Sequence, residues 1–399
     1  MQTNKRMMLF FGVFILFNMA ASFVHPITPT LFKDLALPDY MFGLALAAMM
    51  AVNFLFSPFW GKLNSYLSSR VSLLISCLGY ALGQYFFATA TTQLQFILAR
   101  MLAGVFTGGV FVSALNYIVN MARDTQTRGI WLTTSATIQS VASAFGFFVG
   151  GMLGAIDVKY ALIAQIITLA ACGVLFLVVC VGDAKVPMSE LSYKRLAREA
   201  NPFRAFSDSG RFMTPILMLL MLMCALQYLS QTAFDQSFNY YLKDQFDYSP
   251  AYNGALKAVM GLVTLIANST LCVYLIKRTD KKKSLVGLFA ASGVMMLIVL
   301  GMRSIAPFMV ANILFYALNA ISLPLLQDVT ADSAEGEDSN LVMGMFNALR
   351  SLGGIVGALA AGFLYAVRPT YPFACTALAC CIGAVIAWIY QRKSRIHNK

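Results

Sequence analysis

Charge is scarce in this chain: only 12% of its 399 residues are Asp, Glu, Lys or Arg, only two are histidine, and 59% are hydrophobic. With a mean hydropathy of +0.71, it has too little polar surface to cover a water-soluble globule, so a soluble fold is excluded. The eight cysteines, from Cys77 to Cys381, all fall in apolar segments, with no extracellular pairing pattern and no His/Cys cluster of metal-ligand spacing. Neither disulfides nor a metal are expected. Paired carboxylates, and a nucleophile with its base, are also missing, so the chain does not read as an enzyme and calls for no cofactor. There is no Gly-x-x-x-x-Gly-Lys-Ser/Thr loop, so ATP is not the direct energy source unless a separate subunit supplies it.

What the chain does have is apolar stretches of about twenty residues, the length a helix needs to cross a ~30 Å hydrocarbon layer. They do not alternate as barrel strands would. The sequence therefore predicts an all-α membrane protein with twelve transmembrane helices in two pseudo-symmetric six-helix bundles. The spans run roughly over 7–31, 40–60, 71–90, 95–121, 129–155, 159–181, 212–241, 250–276, 284–302, 307–326, 341–366 and 370–390. Lys5 and Arg6 precede the first apolar run as in a signal peptide, but no small-residue cleavage site follows, so this run is expected to be helix 1. The formal charge of +12 lies in the connections rather than on one amphipathic face, which argues against nucleic acid as a partner. Of 29 Lys and Arg, 21 fall on one side if both termini are cytoplasmic, five on the other and three within spans. That asymmetry orients the chain in a cell membrane with both termini cytoplasmic.

One long hydrophilic connection divides the chain into residues 1–181, a linker 182–211, and residues 212–399. The two halves repeat: Ser140-Val-Ala-Ser-Ala-Phe-Gly146-Phe-Phe-Val-Gly-Gly151-Met-Leu matches Ser351-Leu-Gly-Gly-Ile-Val-Gly357-Ala-Leu-Ala-Ala-Gly362-Phe-Leu at an offset of 211 residues. Spans 5 and 11 are thus equivalent. Duplicated halves joined by a basic linker suggest a monomeric transporter of a small molecule, its site between halves that rock against each other.

Span 4 carries Arg100-Met-Leu-Ala-Gly104-Val-Phe-Thr-Gly108, and span 5 carries Ala142, Gly146, Gly150 and Gly154 at four-residue spacing, ladders that let helices approach closely in lipid. Together with Ser57-Pro-Phe-Trp-Gly61-Lys-Leu63 at the end of span 2, the chain resembles the major facilitator superfamily over its whole length. Residues from Ala233-Phe234-Asp235 to Tyr248-Ser249-Pro250 look like the proton-coupled multidrug antiporter branch, in which a span 7 carboxylate takes part in coupling or in binding cationic drugs. Departures from the family pattern are local. After span 2 the family's Asp, Arg and second Gly are lost, with Ser65 in the aspartate's place; in span 5, Phe147 stands where exporters have proline; around Ala320, span 10 lacks a second carboxylate. The resemblance implies an exporter of amphipathic small molecules driven by protons. A symporter or uniporter of an organic anion or carbonyl-rich metabolite is the alternative, suggested by the excess of Arg100, Lys257 and Arg350 over one Asp.

Ionisable groups within spans are expensive and are functional candidates by default. Here they are His25, Arg100, Asp235, Lys257 and Arg350. Asp235 and Lys257 lie at similar depth on antiparallel spans 7 and 8, so an ion pair is expected, either structural or linked to protons or substrate. Arg350, about nine residues into span 11, stays protonated and needs an acceptor, from a packed neighbour or from the anionic or carbonyl group of a substrate. Arg100 matches the family's span 4 arginine, to which the resemblance assigns proton transfer and contacts to span 1. His25, just before Pro26, has the chemistry of a proton carrier or of a hydrogen-bonded packing residue. Gln231, Asn239 and Tyr240 belong to a polar and aromatic stripe on span 7 that suits a cavity wall or interhelical hydrogen bonds. Finally, Asp328, Asp332, Glu335, Glu337 and Asp338 form an acidic patch, expected to pair with the basic loop from Lys277 to Lys283 or with Lys62 and Arg70 as a latch between conformations.

Overall fold

The computed structural model describes residues 2–122, 124–183, 200–207, 213–302, 304–333 and 339–397, and within them all regular structure is helical. Twelve helices are long and apolar enough to cross a membrane. Those of the first half cover Lys5–Ser22, Met41–Tyr66, Ser69–Thr89, Gln93–Met121, Gln126–Ile156 and Val158–Val179. Those of the second half cover Pro215–Phe246, Pro250–Arg278, Lys281–Gly301, Ile305–Asp332, Val342–Val367 and Tyr371–Ser394. In chain order these are spans 1 to 12. Helices satisfy every backbone group internally, which is what a hydrocarbon solvent demands.

Span 1 is shorter than the expected 7–31. Its helix ends at Ser22, five residues of turn follow, and a short helix Thr28–Asp34 resumes the path. The cause is Pro26, which lacks an N–H to give the preceding turn and clashes with it. A carboxamide from span 6 repairs the opening: Gln165 donates to the carbonyls of Ala20 and Ala21, at 2.9 and 3.1 Å. In span 8 the helix widens into a π turn, Asn268–Cys272, where Ser269 and Thr270 hydroxyls donate back to Leu265 and Ile266.

The chain forms two compact units whose limits cross the sequence halves. The first comprises Met1–Leu37, Ala48–Pro202 and Leu242–Val259; the second comprises Pro38–Ala47, Phe203–Tyr241 and Met260–Lys399. Each half thus lends a helix end to the other's unit. Much of the 182–211 linker lies outside the described residues.

In the first unit, Phe10, Phe14 and Phe17 recur at helical spacing along span 1 and meet Tyr117, Phe176, Tyr80 and Phe111 in an aromatic core. Span 5 lies on the span 1 backbone through its glycines. A Cβ on Gly146 or Gly150 would collide with the carbonyls of Met19 and Phe23. Gly104 meets Met49 in the same way. Lipid supplies no hydrophobic drive for helix association, so such close approaches carry the packing. The borrowed start of span 8 seats Gly254 against Gly151 and the Phe147 carbonyl, and Lys33 forms an ion pair with Asp244.

The second unit repeats these junctions. Gly353 and Gly357 of span 11 lie on the carbonyls of Ala225 and Leu229 in span 7. The borrowed Pro38–Ala47 segment seats Gly43 against Gly362 and the Ala358 carbonyl. Gly61, by contrast, has only an ordinary contact with Val112, and Gly108 faces Ser57 and Asn53.

The acidic patch expected from the sequence is seen in part. Lys281 pairs with Asp328 at 2.6 Å and Asp332 at 2.7 Å. Glu335, Glu337 and Asp338 lie outside the described residues. All three paired groups belong to one unit, so this contact fastens span 9 to span 10 and would survive a rigid-body motion of the unit unchanged.

Candidate functional site

The first unit gathers three of the five intramembrane candidates. His25, in the turn created by Pro26, stacks on the ring of Phe147 with centroids 5.2 Å apart and planes 14° from parallel. The Lys257 ammonium stands 5.9 Å from the same ring. Phe147, which replaces the exporter proline, is therefore a platform between an imidazole and an ammonium group. Arg100 is buried with its guanidinium over Phe87 at 3.9 Å and Nη1 3.9 Å from Met49 Sδ. Both Arg100 and Lys257 act electrostatically on His25. The grouping of residues 25, 100 and 257 was not foreseen from the sequence, because the turn at Pro26 and the inclusion of Leu242–Val259 in this unit produce it.

Asp235 and Arg350 belong to the second unit, so the structure assigns Asp235 and Lys257 to different units. Asp235 is half-buried on span 7, and its carboxylate is the strongest electrostatic influence on the hydroxyl of Tyr316 in span 10. Arg350 is exposed, and its guanidinium lies 4.5 Å from the centroid of Tyr228 in span 7. Val356, Phe363 and Val367 are exposed large apolar residues of span 11, and Arg350 stands about 120° around the helix from Val356. It lies beside the glycine seam with span 7 instead.

Between these charges, the buried Oε1 of Gln231 meets no hydrogen-bond donor among the described residues. One turn earlier, Gln227 donates to the Asn319 backbone and side-chain oxygens at 3.0 and 2.9 Å, and Asn319 donates to Ser230 at 3.3 Å. Part of the stripe is therefore interhelical glue. Asn239 is buried, and Tyr240 is buried with its hydroxyl donating to Asp39 at 2.7 Å and its ring stacked on Phe42. Tyr240 thus anchors the borrowed segment. Tyr228, Tyr316 and Phe147 are the site neighbours that sequence reasoning missed; aromatic residues are too common here to stand out.

Comparisons with known proteins agree with this architecture. The family model described as Major Facilitator Superfamily matches residues 9–278 and 220–399. Multidrug resistance protein 2 of Bacillus subtilis (strain 168) is 19% identical, covering 96% of this chain and 94% of its own. Quinolone resistance protein NorA of Staphylococcus aureus (strain MSSA476) is 24% identical over 99% of both chains. Among solved structures, a bacterial homologue of the human lysosomal transporter Spinster superposes with a TM-score of 0.75 at 12% identity, over 98% of this chain and 97% of that one. The last likeness speaks to fold alone.

Proposed function

Because the chain belongs to the Major Facilitator Superfamily and is a secondary transporter rather than an enzyme, we propose that it exports amphipathic small molecules in exchange for protons. The observation that carries this reading is Asp235, a half-buried carboxylate about three turns inside span 7, next in sequence to Phe234, whose ring packs against those of Phe315 and Tyr316. A carboxylate there can hold a proton or a cationic group, one at a time, which is the exclusivity that antiport requires. Relatives named for multidrug and quinolone resistance support the export direction.

In this reading the protein works by alternating access as a monomer in the cell membrane, with both termini cytoplasmic. The 1–181 and 212–399 halves are the moving bodies and 182–211 the linker. Arg100, His25 and Lys257 are the first unit's candidates for substrate contact or coupling, and Gln231 and Asn239 the second's. A second reading, transport of an organic anion, is favoured by one observation: in the first unit His25 and Lys257 share the ring of Phe147. Proteoliposomes containing a pH-sensitive dye separate the two. Addition of lipophilic cations should release protons from an acid-loaded lumen if the exporter reading holds. Proton movement with organic anions alone would replace it with the second reading.

A further inference from the structure

We propose that the cleft between the starts of spans 1 and 5 binds an anionic phospholipid, one acyl chain lying in the cleft and the headgroup phosphate held by Lys5, Arg6 and Arg128. The two spans run in the same direction and touch where Gly146 and Gly150 lie on the carbonyls of Met19 and Phe23. Toward their starts the small residues give way to Met7, Met8 and Phe11 on span 1 and to Thr127, Ile130 and Trp131 on span 5. The helices part there around a cleft of about 400 Å³, within the ~300–1,000 Å³ range of sites for small molecules.

Depth and charge identify the occupant. Lys5 and Gln126 open the two apolar spans, so the cleft sits at a membrane boundary, where an acyl chain meets its headgroup. Met8 and Ile130 on its walls are 75% and 57% exposed, apolar surface that a hydrocarbon chain covers better than a polar solute does. At the mouth, Lys5 stands three residues before Met8 and Arg128 three before Trp131, neighbours on their helix surfaces, with Arg6 next to Lys5. All three cations are exposed, and none forms an ion pair among the described residues. Asp124, the carboxylate on this turn, accepts from the backbone N–H and hydroxyl of Thr127 at 2.7 and 2.8 Å. Three cations against one carboxylate leave the rim positive. The half-buried Trp131 indole donates no hydrogen bond among the described residues, whereas that of Trp60 donates to the Val105 carbonyl at 2.7 Å. An ester carbonyl of the lipid supplies the acceptor Trp131 lacks, the use to which tryptophan is put at membrane interfaces. Basic clefts between helix ends hold anionic headgroups by the same electrostatics.

The test uses the full-length protein in nanodiscs and the quenching of tryptophan fluorescence by lipids brominated on their acyl chains, which reports contact. Trp388→Phe removes the other exposed indole, and Trp60 is buried. Brominated phosphatidylglycerol and brominated phosphatidylcholine share their chains and differ in headgroup charge; each is mixed in rising fractions into unbrominated phosphatidylcholine. We expect half-maximal quenching of Trp131 at a mole fraction at least about fivefold lower for phosphatidylglycerol, a gap of about 1 kcal/mol. High salt should narrow that gap. Lys5→Gln, Arg6→Gln and Arg128→Gln together should abolish it while leaving quenching by phosphatidylcholine unchanged. Lys277→Gln, Arg278→Gln and Lys283→Gln together remove the same charge from exposed positions of the second unit and should leave the gap intact. Equal quenching by the two lipids in the starting protein, a gap that survives the first triple substitution, or one lost equally in both triple variants would each overturn the proposal. So would a selective signal that persists in Trp131→Phe. Displacement of the brominated lipid by inorganic phosphate at matched ionic strength would overturn it too, by making the rim a site for the free anion.

Discussion

Gly151 and Gly254 meet backbone to backbone: a Cβ added to Gly254 would fall 3.1 Å from Gly151 Cα and collide with the Phe147 carbonyl. Shift each of these residues by 211 and the second unit shows the same junction, with Gly362 for Gly151, Gly43 taking the role of Gly254, and Ala358 for Phe147. The duplication has conserved a close approach in each unit. We expect Gly254→Leu and Gly43→Leu each to destabilise the protein by about 1 to 3 kcal/mol, the usual effect of overpacking. Gly287→Leu, where a Cβ meets nothing within 4 Å, is the control. Thermal unfolding in detergent reads the difference, and equal melting temperatures for all three would show that these junctions yield easily.

Asp235→Asn keeps the shape of the side chain while removing the exchangeable proton. We expect it to abolish accumulation against a gradient driven by a proton gradient, while substrate exchange at equal pH continues. Parallel uptake and counterflow in proteoliposomes check this. Loss of both activities in a folded variant would place Asp235 in binding alone.

The number and approximate limits of the spans were legible because length and hydropathy answer directly to bilayer thickness. The repeat was legible too, and Gly146 and Gly357 indeed perform matching tasks against spans 1 and 7. Gly43 and Gly254 were overlooked, although extending the 211-residue offset beyond spans 5 and 11 would have paired them. The break at Pro26 was signalled by the proline itself, but apolar neighbours made the run look continuous. The His25, Phe147 and Lys257 cluster had no local signal, since residues more than a hundred positions apart meet only through tertiary packing. Phe147 was visible only as a missing proline, and its use as a platform needed coordinates.

Lys281 binds two carboxylates at once, Asp328 and Asp332, on a partly exposed surface. Exposed pairs contribute about 0.2 to 1 kcal/mol each, so Lys281→Ala should lower stability by about 0.5 to 2 kcal/mol and less at high salt. Because all three groups lie in one unit, the substitution should leave the accessibility of cysteines placed at the ends of spans 9 and 10 unchanged. A labelling increase that salt suppresses would instead restore the idea of an electrostatic latch.

The start of span 3 presents an unusual cap. Ser68, the residue before the helix, makes no side-chain cap hydrogen bond; the carboxylate of Asp183 arrives from beyond span 6 and takes its place. Asp183 accepts from the Ser69 backbone N–H and hydroxyl, both at 2.6 Å, and from the Asn120 side chain in span 4 at 3.0 Å. The equivalent position in the second unit solves the same problem locally. There Asp280, 211 residues after Ser69, accepts from the backbone of Lys282 and Lys283 at the start of span 9. Both carboxylates answer the orphan N–H groups and positive end of a helix dipole. They differ in reach, because Asp183 also fixes the exit of span 6 to spans 3 and 4. Asp280→Ala should therefore have the usual effect of a lost cap, about 0.5 to 2 kcal/mol. Asp183→Ala should cost more, since it also leaves the Ser69 hydroxyl and the Asn120 amide without their acceptor. A double-mutant cycle between Asp183→Ala and Asn120→Ala, read by thermal unfolding, should give a coupling of about 0.5 kcal/mol or more. Additive losses, or equal effects of Asp183→Ala and Asp280→Ala, would reduce Asp183 to an ordinary cap.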